Sequence, residues 1–238
     1  MRQRRLHADQ DDGSQRQLEA TDNLDLIFGE ARFTARDAVT ATAPDGSTRD
    51  LRAPRIFINA GCRPATPPID GLSDTPHLNS TTIMELANAP DRLLVLGGGY
   101  IGLEFAQMFR RFGSEVAVIH RGSQLLSRED ADVAEAVADA LHDEGVEVVL
   151  NAAVTGVRRE ASGRIAASLT TPHGPGSAHG SHLLVAVGRT PNSDALDLAA
   201  AGVETDARGH IPVNERLETN VAGIWALGDI NGGPAFTH

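Results

Sequence analysis

The sequence predicts an α/β fold built on a parallel sheet, with smaller β-rich segments on either side. Three observations carry that prediction. Residues 90 to 150 alternate buried strand and amphipathic helix. A glycine-rich turn, "GGGYIG", joins the first strand of that series to its first helix. The flanking stretches, 24 to 61 and 151 onward, read as short β segments punctuated by glycine and proline.

Taken in order, residues 1–23 are polar and rich in Gln, Asp and Arg, without a sustained period, and are expected to be poorly ordered. "LDLIFGEARF" leads into "AVTATAPDGSTRDLRAP", where Asp45-Gly46 marks a hairpin between alternating segments. "RIFINAG" is a short apolar strand ending on Gly61, and the Pro-rich "CRPATPPIDGLSDTP" reads as a connector between domains. "RLLVL", "EVAVIH" and "VEVVL" are the strands of the central series. Between them lie the helix "YIGLEFAQMFRRFG", closed by Gly113, and "SREDADVAEAVADALHDEG", with Ser127 as N-cap and Gly145 as C-cap. That order implies βαβ crossovers and parallel pairing. Beyond 151 the β segments are broken by the turn "TPHGPGSAHG"; "HLLVAVG" is a further buried strand, and 189–238 carry short elements. The expected division is 1–23, 24–77, 78–190 and 191–238.

The totals narrow the function classes. Of 238 residues, 41% are apolar, enough for one large or two modest domains. A formal net charge of −11 argues against nucleic acid or an anionic membrane as partner. The basic "MRQRR" is followed by polar residues where a signal peptide needs an apolar core. No run approaches the roughly 18 apolar residues of a membrane span. With Cys62 as the one cysteine no internal disulfide forms, and a cytoplasmic location with no metal site is expected.

Gly97, Gly99 and Gly102 form G-x-G-x-x-G directly after a strand and at the mouth of a helix, with Gly98, Tyr100 and Ile101 between them. The first glycine permits the tight turn, the second lets backbone approach a pyrophosphate, and the third lets helix pack on sheet. Amides at the helix start then face the phosphates. This strand, turn and helix read as a Rossmann-like, dinucleotide-binding unit. At the end of the second strand, where a carboxylate would hold the ribose hydroxyls of NAD, stand His120 and Arg121, with Arg128 nearby. Arginine suits a 2′-phosphate, so the residues favour NADP over NAD, the bland alternative being a solvated strand end.

The blocks "GGGYIGLEFAQMFRRFGSEVAVIHR", "LLVAVGRTPN" and "LETNVAGIWALGDINGGP" together resemble the flavoprotein pyridine nucleotide-disulfide oxidoreductases, the mercuric-reductase-like members above all. The resemblance runs from about residue 24 onward, with the motifs in the family's order. It implies a Rossmann-like NAD(P)-binding domain with a β-meander, inserted in an incomplete FAD-binding domain. "INAGCRP" resembles the family's A-T-G-x-x-P segment, with Gly61 and Pro64 matching and Asn59-Ala60 departing. In "TNVAGIWALGD", Gly228 and Asp229 match the second flavin motif, where the carboxylate accepts a hydrogen bond from a ribityl hydroxyl. Tyr100 and Glu104 match positions near the flavin–nicotinamide contact. Val187, Gly188 and Arg189 would line the nicotinamide side.

Two features of the family are not found in this sequence: a G-x-G-x-x-G unit before residue 90, with its redox-active C-x-x-x-x-C pair, and a C-terminal dimerisation domain. The expectation is therefore a truncated central portion, with no catalytic residue assigned, NAD(P) bound and FAD expected from the family. It would transfer hydride from NAD(P)H to flavin weakly or not at all by itself. The alternatives are a non-catalytic NAD(P)-binding fragment, or one piece of a split flavoenzyme whose partner chain supplies the FAD and dimerisation segments. Mercuric ion, a disulfide and a quinone are all compatible as substrate. Cys62 reads as a small packed residue.

Overall fold

The computed structural model describes residues 13 and 15–233. Residues 1–12, 14 and 234–238, and with them the basic "MRQRR" and the last residues of "GDINGGPAFTH", lie outside the described residues. Residues 15–19 are helical, with Gln15 Nε2 donating to Glu19 Oε1 at 2.7 Å one turn away. The described part of the 1–23 segment is therefore not featureless.

The chain divides into two compact units, 1–63 with 189–238, and 64–188. The first boundary corrects the division expected at residue 77. Segment 64–77 joins the second unit because Leu72 is buried in that unit's core, with Ile69 packed against it, and Val157 donates to the Asp70 carbonyl at 2.8 Å. The second boundary falls after Gly188 rather than residue 190.

In the first unit, β1 (Glu30–Ala35), β2 (Ala38–Thr42) and β3 (Thr48–Arg52) form an antiparallel sheet in sequence order. The β2–β3 hairpin turns at Asp45-Gly46, with Asp45 Oδ1 accepting from the Ser47 amide and hydroxyl. Two short strands follow, β4 (Ile56–Ile58) and β5 (Cys62–Pro64).

The second unit is a three-layer arrangement. Strands β6 (Arg92–Leu96), β7 (Glu115–Ile119) and β8 (Glu147–Val149) pair in parallel, linked by helices α1 (Tyr100–Arg111) and α2 (Ala131–Asp143). Strands β9 (Ala153–Arg159), β10 (Ile165–Thr171) and β11 (Gly174–Gly180) make an antiparallel meander, and β12 (His182–Val185) returns beside β6 to give the order β12-β6-β7-β8. Alternate residues of the parallel strands serve opposite layers. Leu93, Val95, Val116 and Val118 pack with Leu103, Ala106 and Phe109 of α1 and Leu141 of α2. Leu94, Leu96, Ala117 and Ile119 pack with Val157, Ile165, Ala167 and Leu169 of the meander. Burial on both faces explains why these strands read as unbroken apolar runs.

Two local expectations are corrected here. The N-cap of α2 is Asp130, not Ser127; Leu126 adopts φ +46, and the chain becomes helical only from Ala131. The Gly/Pro-rich "TPHGPGSAHG" is largely strand β11, with the turn confined to Pro172 and His173. Strand β11 lies at the edge of its sheet, the position where proline is tolerated because an outward N–H has no ladder partner to lose.

The chain returns to the first unit through β13 (Arg189–Pro191), which pairs with β5. The short helix α3 (Leu198–Ala201) buries Leu198 and Ala201 with Phe33, and β14 (Ile224–Ala226) pairs in parallel with β4. Ile211, Ile224 and Ile230 complete that core.

Candidate functional site

The glycine loop is held by the strands on both sides of β6. Gly97 donates its amide to the Ile119 carbonyl at 3.0 Å and sits at φ +111; an added Cβ would lie 2.4 Å from the Ala186 oxygen. A Cβ on Gly102 would lie 2.2 Å from the Gly97 oxygen, so helix α1 meets the loop at a distance that only glycine allows. Gly99 differs. It precedes the first residue of α1 in extended geometry (φ −89, ψ 177), no side chain caps the helix there, and an added Cβ would meet nothing within 4 Å. Nothing among the described residues requires glycine at 99. A pyrophosphate against the uncapped helix start would, and the loop fits one.

Gly98 ties the loop to the chain after β7. Its N–H donates to His120 Nδ1 at 3.1 Å, and its carbonyl accepts from the Leu126 amide at 2.8 Å. As an acceptor at Nδ1, His120 is neutral; burial, then the charge of Arg121, holds its pKa below the usual histidine range. Arg121 and Arg128 are exposed and have no carboxylate partner among the described residues. The place where an acid would hold a ribose diol is thus occupied by an uncharged imidazole, with an available guanidinium next to it.

Tyr100, the first residue of α1, donates its hydroxyl to Glu129 Oε1. That hydrogen bond, then desolvation and Glu129's charge, raises the phenol pKa. Glu104, one turn on, is exposed and makes no ion pair among the described residues; Ile101 is half-buried. At the end of the second unit Gly188 accepts from the Ala65 amide at 3.0 Å, and Val187 is exposed.

In the first unit the second motif lies in a 3₁₀ turn, Gly228–Asn231, after β14. Gly228 has φ +68, and a Cβ there would lie 2.9 Å from Asn59 Oδ1. Asp229 follows, its carboxylate about one-third exposed and 3.3 Å from the Arg189 guanidinium. The same guanidinium donates to the Cys62 carbonyl at 2.6 Å. Arg189 therefore ties Asp229 to the backbone of Cys62. Asn192 adds two more ties, its amide to the Gly61 carbonyl (3.0 Å) and its Nδ2 to that of Ala60 (2.8 Å). The Cys62 thiol donates to the Asp229 carbonyl at 3.3 Å, and burial, then Asp229's charge, pushes its pKa up. It is packed and protonated, as its sequence context suggests.

Sequence reasoning missed Arg189 as the partner of Asp229, Asn192 as the tie to the Ala60–Gly61 backbone, and Glu129 as the partner of Tyr100. The asparagine in "GRTPN" was the available signal, since Asn readily bridges neighbouring backbone groups. No group of three or more metal-ligating side chains occurs among the described residues, and no described helix is long and apolar enough to cross a membrane.

A parallel sheet whose first strand-to-helix turn carries G-x-G-x-x-G, covered by helices on one face and a meander on the other, defines a dinucleotide-binding fold. The family model of the pyridine nucleotide-disulphide oxidoreductases matches residues 7–238, and the chain belongs to that family. It is 38% identical over 217 residues to the probable pyridine nucleotide-disulfide oxidoreductase RclA of Escherichia coli (strain K12), covering 91% of this chain and 48% of the relative. To the mercuric reductase of Streptomyces lividans it is 39% identical over 213 residues, covering 90% of this chain and 44% of the relative. The solved Cu(II) complex of the HOCl-induced flavoprotein disulfide reductase RclA from Escherichia coli superposes with a TM-score of 0.84 at 37% identity, over 92% of this chain and 49% of that one. The chain thus spans about half the length, or somewhat less, of these relatives.

Proposed function

We propose that this chain binds NAD(P)H at the Gly97–Gly102 loop and FAD at the Gly61/Asp229 cluster, in an oxidoreductase that passes hydride from NAD(P)H to flavin. The single observation that carries the reading is Gly99: open space in front of an uncapped helix start, beside two glycines that the fold itself requires. The loop and helix start bind the pyrophosphate through backbone N–H groups. Arg121 takes the 2′-phosphate, so NADPH is preferred to NADH. Tyr100, Glu104 and Gly188 border the nicotinamide. Asp229 accepts a hydrogen bond from the flavin's ribityl chain, and Arg189 orients that carboxylate. When bound, FAD supplies the hydride-accepting chemistry, while the protein positions the cofactors. Dependence on NAD(P)H, a cytoplasmic reductant, supports a cytoplasmic location.

A second reading is that the Gly97–Gly102 unit binds NAD(P)H without turnover, since the open helix start lies wholly within one compact unit. One experiment separates the readings: titration of the purified chain with NADPH, then with FAD, followed by an anaerobic spectrum on adding NADPH. Bleaching of a bound flavin band supports the oxidoreductase. NADPH binding without retained flavin supports the second reading. Absence of NADPH binding to the folded chain overturns both.

A further inference from the structure

Tyr100 is the first residue of α1 and follows Gly99, the glycine with open space in front of it. Every Cα–Cβ bond of an α-helix tilts towards the helix N-terminus, so a long side chain at the first helical position reaches back past the helix start. A free ring at residue 100 would sweep the space before the uncapped amides, where the proposed pyrophosphate is received. The ring is 42% exposed, so burial does not fix its place. Its hydroxyl is drawn instead to the segment after β7, where it donates to Glu129 Oε1.

Glu129 is a fixed acceptor. Its amide donates to the Leu126 carbonyl at 2.8 Å, and its own carbonyl accepts from Gln124 Nε2 at 3.1 Å. Leu126 in turn is buried, takes φ +46 and donates its amide to the Gly98 carbonyl at 2.8 Å. A left-handed backbone is unfavourable for leucine and persists only where the surroundings hold it. The glycine loop is thus joined to the 124–130 segment twice, through backbone at Gly98 and through a side chain at Tyr100. The second join adds little to the fold, because Glu129 is only half-buried and both groups could be satisfied by water. Its charge is also offset locally, since Arg128 acts on the same phenol with the opposite sign. What the second join sets is where the ring lies.

We infer that Glu129 is a positioning residue of the nucleotide site: it holds the Tyr100 ring aside from the start of α1, so that the amides there stay open to the phosphates. Glu129 acts through Tyr100 and not by contact with the nucleotide. The inference rests on the proposed reading of the Gly97–Gly102 loop as the NAD(P)H site, and it does not depend on hydride transfer.

The test is NADPH titration of the full chain and its variants, with the ionisation of Tyr100 as a second readout. Tyr100 is the one tyrosine of the sequence, so phenolate absorbance belongs to it alone. Glu129→Ala and Tyr100→Phe are each expected to weaken NADPH about fivefold or more, the effect of losing one hydrogen bond. Glu129→Gln keeps an acceptor and is expected to rescue the affinity to within about twofold of wild type. In the Tyr100→Ala background, Glu129→Ala should change NADPH affinity by less than about twofold, because no ring remains to be held. Glu129→Ala should also bring the phenol, whose pKa the Glu129 hydrogen bond raises, back towards its ordinary value of about 10. If Glu129→Ala restores that ionisation and leaves NADPH affinity unchanged, the bond is without consequence and the inference falls. It falls equally if Glu129→Gln loses as much as Glu129→Ala, or if the loss persists in the Tyr100→Ala background. Failure of the folded wild-type chain to bind NADPH is a different result: it overturns the nucleotide reading itself, and this inference with it.

Discussion

The amide of Gly98 donates to Nδ1 of His120, 3.1 Å away, so the glycine turn is braced by the residue that follows the next strand. The brace works only while His120 is uncharged, because a proton on Nδ1 removes the acceptor.

That condition has a pH signature. Burial, then Arg121, depresses the His120 pKa below 6.5 in the folded chain, so the unfolded chain takes up the proton first as the pH falls. The stability associated with neutral His120 is complete above the unfolded value and is lost as the pH falls from there towards the folded value. NADPH affinity of the folded chain should fall only at the lower end of that window, where the folded imidazole itself takes up the proton. His120→Asn, whose Oδ1 keeps an acceptor, should flatten both profiles; chemical denaturation and NADPH titration between pH 5 and 8 check this.

The three motif glycines should separate by experiment. Gly97→Ala places a methyl 2.4 Å from the Ala186 oxygen at φ +111, and should cost about 2–4 kcal/mol of stability. Gly99→Ala meets nothing, so its stability cost should stay at about 1 kcal/mol or less, the usual price of alanine at an N-cap. NADPH affinity should nonetheless drop at least tenfold, roughly, if the pyrophosphate lies against that residue. Urea denaturation and NADPH titration of the two variants decide it.

Arg121→Ala should weaken NADPH by roughly 10- to 100-fold, the loss of one charge-assisted phosphate contact, with NADH changed less than about threefold. Parallel titrations with the two nucleotides read this directly. Equal losses would mean that Arg121 is a solvated strand end.

Arg189→Met should loosen the Gly61–Cys62 segment and Asp229 together. The lost hydrogen bond to the Cys62 carbonyl, at a side chain one-third exposed, should cost about 1–2 kcal/mol. Flavin affinity should fall for Arg189→Met and for Asp229→Asn alike, whereas NADPH affinity should not change in either. Flavin fluorescence on titration measures the first and nucleotide titration the second.

Cys62 should label slowly with iodoacetamide in the folded chain and at the rate of a simple thiol once unfolded, because burial, then Asp229, raises its pKa. Fast labelling of the folded chain would contradict the packed, protonated thiol.

Much of the site was legible because it is local. Gly97, Gly99 and Gly102 lie within six residues, and their spacing after "RLLVL" encodes the tight turn and the helix packing in one stretch of chain. His120 and Arg121 were found because the length of a strand–helix–strand unit places them. The tie from Arg189 to Cys62 was not legible because the two lie 127 residues apart, and a side chain with five donors has no preference that its neighbours in sequence reveal. Strand β11 was read as a turn because its composition is that of a turn; its strand geometry comes from seven cross-strand partners on β10.

By itself, then, the sequence determined the βαβ order, the glycine turn and the absence of an acid at the end of β7, all set by residues a few positions apart or one element apart. Only the tertiary structure decided that the chain divides after Arg63, that Arg189 serves Asp229, and that Gly98 leans on a neutral His120. Each of these depends on which distant surfaces pack together, and packing, unlike periodicity, leaves no regular mark along the chain.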